Sequence, residues 1–576
     1  MKYVIYRKKY GISFAPIPKL SPEIRLASNN SDEKAVTGLK SPDRPFYNSA
    51  TMGKVDCLFL HVPKMVNYYR PIGQFVWINL LPMGLLALAD HLHRHEISTQ
   101  IIHLGVEWVE DRNFSVLDYI REKTPRIVAF DLHWHHQSFD VMEMVNKVKA
   151  VSPSTFIVLG GYTASFFHEE IMKSFDAVDG IIRGEAEVPM LELARALLQG
   201  GNDLFSIPNL TWRRKGRILM NPLSYVATEE DLNRLSYANF PLLKNYSTYI
   251  HYLGRPYYVK GVSKKKNFWM GSPKAPIYHL PVGRGCPVQC TWCGGGHLAQ
   301  KAITGRQEVV FRGISETIQT IREALSFGYE TFHFCFDPYP QEPDYYLRLF
   351  ARIREEKIKM ESYFESFGLP REDFIRSFKE TFPGLKSLIA LSPDSGSERT
   401  RRMHKGYAYT NQALMKCLER MEEHRVNCDL FFTFGVPFEK KEDIHRTIQF
   451  QREIKNRYPN VKGVRTFTVE MEPGSPLHFN PGLFGVKTTL QSFMDFYHHH
   501  GEKENPFSSL GYWIPNFFER EKDEKGFEAA IQKIKCRHFC FIHPDSKQSS
   551  SPFWGRRLCD LSHLFWRAKD FSRKKP

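Results

Sequence analysis

Three cysteines fall within eight positions of the segment GRGCPVQCTWCGGG, Gly283 to Gly296. Cys286, Cys290 and Cys293 make a C-x-x-x-C-x-x-C pattern in a 576-residue chain with ten cysteines. Thiolates suit zinc, copper(I) and iron–sulfur clusters. A structural zinc site is closed by four ligands, usually in paired C-x-x-C fashion. Here one triplet stands alone, and the next cysteine, Cys335, lies about 40 residues on. The flanking glycines let the backbone wrap a bulky object closely. Three thiolates on a cubane of four irons leave one iron open for a substrate or cofactor. The alternatives are a zinc site closed by His297 and three buried or free thiols with no shared partner. The spacing, the glycines and the position after a predicted strand favour the cluster.

Other groups invite weaker readings. Cys536 and Cys540 in KCRHFC lie four apart and, with Cys559, could hold a second cluster. Free cysteines are more often small buried hydrophobes. DLHWHH (Asp131–His136) contains D-x-H and three histidines; it reads as lining a cofactor face, with an adventitious metal site as the alternative. YHHHG (Tyr497–Gly501) could bind metal, against the plainer reading of a polar helix end.

These residues need a scaffold. Hydrophobic residues make up 42% and charged residues 25% of the chain, the composition of a soluble globular protein with ample core. At roughly 150 residues per domain the length allows three or four domains. The net charge of +16 favours anionic partners. The basic residues are scattered, densest at SKKKN near Lys264 and in the tail RAKDFSRKKP, so the charge reads as a solvated surface with no clear nucleic-acid site. The N-terminus lacks the apolar core of a secretory signal. The most apolar stretch, FVWINLLPMGLLALAD, is interrupted by Asn79 and Pro82 and falls short of the ~20 residues of a spanning helix. No transmembrane segment and a cytoplasmic location are expected.

Residues 1–52 are polar and turn-rich, an N-terminal extension. From residue 53 to 205, short apolar runs (VDCLFLHV, STQIIHLG, PRIVAFDLHW, STFIVLGGYTAS, VDGIIRGEAE) alternate with helical segments. That alternation predicts a doubly wound, Rossmann-like α/β domain with a parallel sheet. Its ligands would sit outside the carboxyl ends of the strands. Residues 206–275 read as a connector that begins with a hairpin turning at Lys215-Gly216. From 276 to 480 a second alternation supplies six βα-type strands, IYHLPVGRG, ETFHFCFDP, MESYFESFG, SLIALSPDSGS, NCDLFFTFGVP and VRTFTVEMEP. That predicts a partial TIM-type (βα)6 barrel, whose active site would lie at the carboxyl ends of its strands, where the cysteines fall. Residues 481–576 read as a mostly helical, aromatic and basic C-terminal region.

The cysteine segment resembles the signature of radical S-adenosylmethionine (SAM) enzymes. The resemblance covers roughly residues 276–480. It implies a partial (βα)6 barrel in which Cys286, Cys290 and Cys293 hold a [4Fe-4S] cluster. It also implies that the open iron chelates SAM and that a 5′-deoxyadenosyl radical is generated. Trp292 takes the aromatic position before the third cysteine. SPDSGS resembles the family's ESGS strand end, with Asp394 where Glu is usual and Ser395 beside it. FGVPFEKKED resembles GLPGETEED, which implies SAM contacts at Gly435, Val436 and Pro437, with Phe438-Glu439 in place of Gly-Glu. VEMEPGSPL resembles PYPGTPL after the sixth strand. Glu365 at the third strand end and Asp337 in FCFDPYP are further candidate contacts.

The first domain resembles the cobalamin-binding domain of the cobalamin-dependent radical SAM subfamily. LPMGLLALADHL, IVLGGYTASFFHEE and IIRGEAEVPMLEL each resemble stretches of that domain. The resemblance implies cofactor contacts at Gly160, Gly161, Gly184 and Glu185. The D-x-H-x-x-G motif that places histidine on cobalt does not follow the first strand, which runs into HVPKMVNYY. Cobalamin without a histidine ligand and loss of cobalamin both remain open. The resemblance therefore implies an enzyme acting on a small-molecule or lipid-like substrate, with an electron donor such as flavodoxin or ferredoxin. One reading is a methyltransferase acting on an unactivated carbon. The others are a cobalamin-independent radical rearrangement or cyclisation, and a non-catalytic iron–sulfur protein.

Overall fold

The computed structural model describes residues 53–64, 80–111, 113–200, 203–250, 276–337 and 344–501. The N-terminal extension, the basic cluster near Lys264, the turn after Asp337 and the cysteines 536, 540 and 559 lie outside the described residues.

The first sheet has seven strands. β1 (Cys57–His61), β2 (Thr99–His103), β3 (Ile127–Asp131), β4 (Phe156–Gly160) and β5 (Gly180–Ile182) are parallel. β1, β2 and β3 are buried along their whole length, as strands covered on both faces must be. The order β2-β1-β3-β4-β5 puts the topological switch between β1 and β3. Helices Met83–Arg94, Ser138–Val151 and Glu187–Leu198 supply the cover.

The hairpin of the predicted connector belongs to this sheet. β6 (Leu210–Arg214) pairs antiparallel with β5, and β7 (Arg217–Met220) closes the edge. Lys215 and Gly216 both take positive φ, 48° and 75°, as a two-residue hairpin of the favoured hand requires.

The second sheet holds all six predicted βα strands, parallel, in the order β15-β14-β13-β12-β11-β8. They are β8 (Ile277–His279), β11 (Thr331–Phe334), β12 (Glu361–Ser366), β13 (Leu388–Asp394), β14 (Asn427–Phe434) and β15 (Val461–Thr468). No ladder joins β15 to β8 among the described residues, so the barrel is partial.

The first predicted strand is split. IYHLPVGRG gives β8 and then β9 (Gly283–Arg284), which leaves the sheet and pairs antiparallel with β10 (Val310–Phe311). Pro281 lies at the break; it lacks the N–H that the ladder needs. β9 and β10 thereby close a loop that contains the three cysteines and the helix His297–Thr304. A Cβ on Gly283 would stand 2.3 Å from the Val310 carbonyl oxygen, so this pairing requires glycine there.

Alternation along the barrel strands sorts side chains between the helices and the lumen. Phe332, Phe334 and Phe364 join a phenylalanine-rich core with Phe350, Phe378 and Phe382. Burying each such ring contributes roughly 1.5–3 kcal/mol. The intervening His333 and Glu365 face each other instead, Nε2 to Oε1 at 3.1 Å. No described helix is long and apolar enough to cross a membrane.

Candidate active site

The cysteine loop runs from β9 to the helix His297–Thr304 and is pinned at several points. The Gly406 N–H donates to Cys290 Sγ at 3.2 Å, and the Gly295 N–H to Cys293 Sγ at 3.3 Å. A Cβ on Gly406 would meet Val288 Cβ at 2.6 Å, so that approach needs glycine. Gly294 donates its N–H to Glu472 at 2.9 Å, tying the loop to the segment after β15. Burial pushes all three thiols above the ordinary range, and Cys286 and Cys293 also feel the charge of Cys290.

Among the described residues, the triplet is not a set whose donor atoms all lie within 4.8 Å, and His297 does not complete one. Single-metal zinc geometry, with Zn–S near about 2.3 Å, would hold them tighter. A Cβ on Gly295 would meet only Cys293 Sγ, at 3.8 Å, so the backbone leaves room on the thiol side. Soft thiolate donors of this kind suit iron–sulfur clusters as well as zinc.

Around this loop stand the ends of β13 and β14. His404 joins three parts of the site. Its Nδ1 pairs with Thr291 Oγ1 at 2.8 Å, its Nε2 with the Pro437 carbonyl at 2.7 Å, and its carbonyl accepts from the Thr291 N–H. Burial pushes its imidazole down to about 4, keeping it neutral in that bridge. Trp292 lies 6.1 Å from the His404 ring and packs into the core that contains Val436. Pro437 is therefore brought to the cysteine loop through His404.

The other candidate contacts divide. Asp394 takes φ 59°, a conformation a short carboxylate side chain tolerates, and pairs with Lys405 at 2.7 Å. Ser395 is turned into the fold: its hydroxyl accepts from the Ser397 N–H and pairs with Thr447, and its carbonyl accepts from Arg401. Asp337 is buried and accepts from Ser366 Oγ and the Phe367 N–H, so it joins the ends of β11 and β12. Glu365 stays part-exposed in the lumen beside His333.

The first sheet uses its predicted residues differently. Gly160 faces open space. Gly161, at φ 99°, has its pro-Cβ direction filled by the His133 backbone at 2.8 Å. Gly184 is equally close to Thr304 Cα, at 2.9 Å. Glu185 is not turned to a ligand. Its carboxylate accepts from Arg306 at 2.6 and 2.8 Å, from Arg284 at 3.1 Å and from the Ala227 N–H at 2.9 Å. Burial alone would raise this acid, but the two arginines hold it below its ordinary range. In the structure Gly161 and Gly184 lie close against other backbone, and Glu185 joins the first domain to Arg284 of β9 and to Arg306. The signal was Arg284, inside the cysteine segment, and Arg306, shortly after it.

Asp131 accepts from His61 Nδ1 at 2.9 and 3.0 Å, across the switch point, and His61 rests against His103 at 4.4 Å. The D-x-H at Asp131 is thus not directed outward as a ligand motif. His404, Lys405, Gly406 and Glu472 were missed by sequence reading. Their only sequence signals are an HKG triplet at the end of the helix Glu398–His404 and a second carboxylate in VEMEP.

A parallel-sheet domain feeds a partial barrel, and a three-thiol loop stands at the barrel's carboxyl edge. Residues 280–450 match the radical SAM superfamily, and residues 79–194 match the B12 binding domain. The chain is a radical SAM enzyme with an associated B12-binding domain. Among solved structures it is similar to the radical SAM methyltransferase TsrM of Kitasatospora setae, seen with cobalamin and a [4Fe-4S] cluster: TM-score 0.59, 12% identity, 85% of this chain and 89% of that one. OxsB, a cobalamin-dependent SAM radical enzyme seen with aqua-cobalamin, gives TM-score 0.60 and 12% identity over 86% of this chain and 70% of that one. An uncharacterized methyltransferase of Pyrococcus horikoshii is 23% identical over 66% of this chain and 74% of its own length. The hopanoid C-3 methylase of Methylococcus capsulatus is 23% identical over 54% of this chain and 52% of its own length.

Proposed function

We propose that the chain methylates an unactivated carbon of a small-molecule or lipid-like substrate, using a [4Fe-4S] cluster on Cys286, Cys290 and Cys293 together with SAM and cobalamin. The observation that carries the reading is a three-thiol loop with room beside Gly295, held against the β13 and β14 ends and joined in one chain to a B12-binding domain. When bound, cluster and SAM supply a carbon-centred radical that abstracts hydrogen, and cobalamin supplies the methyl group.

The chain's own residues position and protect. The Gly406 and Gly295 N–H groups stabilise negative charge on the Cys290 and Cys293 sulfurs. The His404 bridge fixes the loop against Pro437, and Val436 with Trp292 forms an apolar wall that excludes water. Gly435 to Pro437 and Asp394 line the side on which SAM would lie. Gly160 is the position of the first sheet open to a corrinoid. An electron donor such as flavodoxin or ferredoxin would reduce the cluster. The names of the Pyrococcus and Methylococcus relatives support a methyl transfer.

A second reading, a radical rearrangement or cyclisation without methyl transfer, has its own support. The B12-domain match begins at residue 79, after β1, and the segment following β1 lacks D-x-H-x-x-G. A relative matched over 142 residues at 26% identity is the anaerobic magnesium-protoporphyrin IX monomethyl ester cyclase of Synechocystis. Anaerobic purification with iron, sulfide and corrinoid analysis separates the two. Bound corrinoid, with labelled methyl passing from SAM to product, supports methylation. 5′-Deoxyadenosine formed with no corrinoid bound leaves the second reading. A reduced cluster that forms no 5′-deoxyadenosine refutes both.

A further inference from the structure

We infer that His135, His136 and Glu470, with His500 beside them, form a binding site for a divalent transition-metal ion, separate from the cysteine loop. The residues come from three distant places. His135 and His136 follow β3 in the first sheet, Glu470 follows β15 in the second, and His500 ends the helix Phe493–Gly501. Each of His135, His136 and Glu470 offers a donor atom, and these atoms lie within 4.8 Å of one another. His136 Nε2 is 2.6 Å from Glu470 Oε2, and His135 Nδ1 is 3.0 Å from His500 Nε2. The His135 and His136 rings stack with centroids 4.0 Å apart.

The donor chemistry points to a ligand. His135 Nε2 is buried and has no hydrogen-bond partner, which is costly unless something fills that place. Two imidazoles and one carboxylate suit zinc, iron(II) or cobalt(II) rather than magnesium or calcium. Nearby charge does not oppose it. Lys64 approaches the His500 carbonyl at 2.7 Å but is balanced by Asp140 at 3.3 Å. The His136 and Glu470 side chains are 20% and 29% exposed, which leaves a coordination position open on their side. The ion would tie the carboxyl edges of the two sheets together and present a Lewis-acidic face between them.

The test uses the full-length chain with Cys286, Cys290 and Cys293 all replaced by alanine, which removes the thiolate loop as a competing site. Metal-stripped protein is titrated with cobalt(II) and followed by its visible d–d spectrum and by metal analysis. One equivalent should bind without a thiolate-to-cobalt charge-transfer band. Adding Glu470→Gln or His136→Asn, both of which keep a polar group of similar size, should weaken it at least tenfold. Circular dichroism of the metal-free variants should be unchanged. No retained cobalt, cobalt bound only with a thiolate band, or equal affinity in both substituted chains would overturn the site.

Discussion

The two sheets end in edges that do opposite things with the same residue types. At the second sheet, glycines and N–H groups stay available: Gly295 leaves room beside Cys293, and Gly406 and Gly295 donate to sulfur. At the first sheet, Gly161 and Gly184 are already filled by the backbones of His133 and Thr304, and Glu185 is consumed by two arginines. A glycine at a strand end therefore signals close approach, but the approaching group can be protein as readily as cofactor. The barrel edge holds its backbone ready for a guest, while much of the first edge is spent on holding the barrel.

Four measurements would break or sharpen that contrast, in falling order of effect. Cys290→Ala should abolish SAM cleavage and lower bound iron, measured as 5′-deoxyadenosine formed and iron per chain. Retained turnover would remove the barrel edge from the chemistry.

Glu185→Ala should destabilise the fold by about 3–5 kcal/mol, because it leaves the buried Arg306 guanidinium without a counter-charge, while Arg284 keeps Glu187. Urea unfolding checks this. A loss under 1 kcal/mol with intact folding, but with corrinoid binding gone, would return Glu185 to the cofactor role that its sequence context suggests.

The third measurement concerns Glu439, which accepts the Gly435 N–H at 2.7 Å and which burial pushes up to about 8. The folded chain binds this proton more tightly than the unfolded one. Its contribution to stability is therefore full below about 4.5 and is lost as pH rises through about 8. Glu439→Gln should flatten the pH dependence of urea stability between those values. An unchanged profile would show that the β14 exit does not carry a protonated acid.

The smallest effect is at Phe438, held at φ 58° where the resembling family motif has glycine. Phe438→Gly should relieve a left-handed strain and raise stability by ~0.5–1 kcal/mol, less the added freedom of the unfolded chain. A loss of stability in urea would mean that the ring's contact with Gly485 outweighs the strain.

The fold was legible because its signals are local. The all-buried strands of the first sheet read as short apolar runs, and amphipathic helices such as Tyr345–Glu355 bury Tyr345, Tyr346, Leu349, Phe350 and Ile353 on one face. The cysteine loop was legible for the same reason, since its ligand set is contiguous. The hairpin at Lys215-Gly216 was read as a hairpin but not as part of the first sheet, because antiparallel pairing of β5 with β6 leaves no mark in either strand alone. His404, Gly406 and Glu472 were invisible for a related reason. They lie about 110 to 180 positions from the sulfurs and N–H groups they support, as in Gly406 and Cys290, 116 positions apart. The histidines near residue 135 read as lining a cofactor face, and those near residue 500 as a polar helix end. Only folding, which pairs positions 365 residues apart, makes them one cluster.

The Glu185 clamp has a mechanical consequence. A guanidinium that grips a carboxylate with two parallel bonds resists twisting as well as pulling apart. Set where the first domain meets the base of the cysteine loop and reinforced by Arg284, it stiffens that joint against rotation.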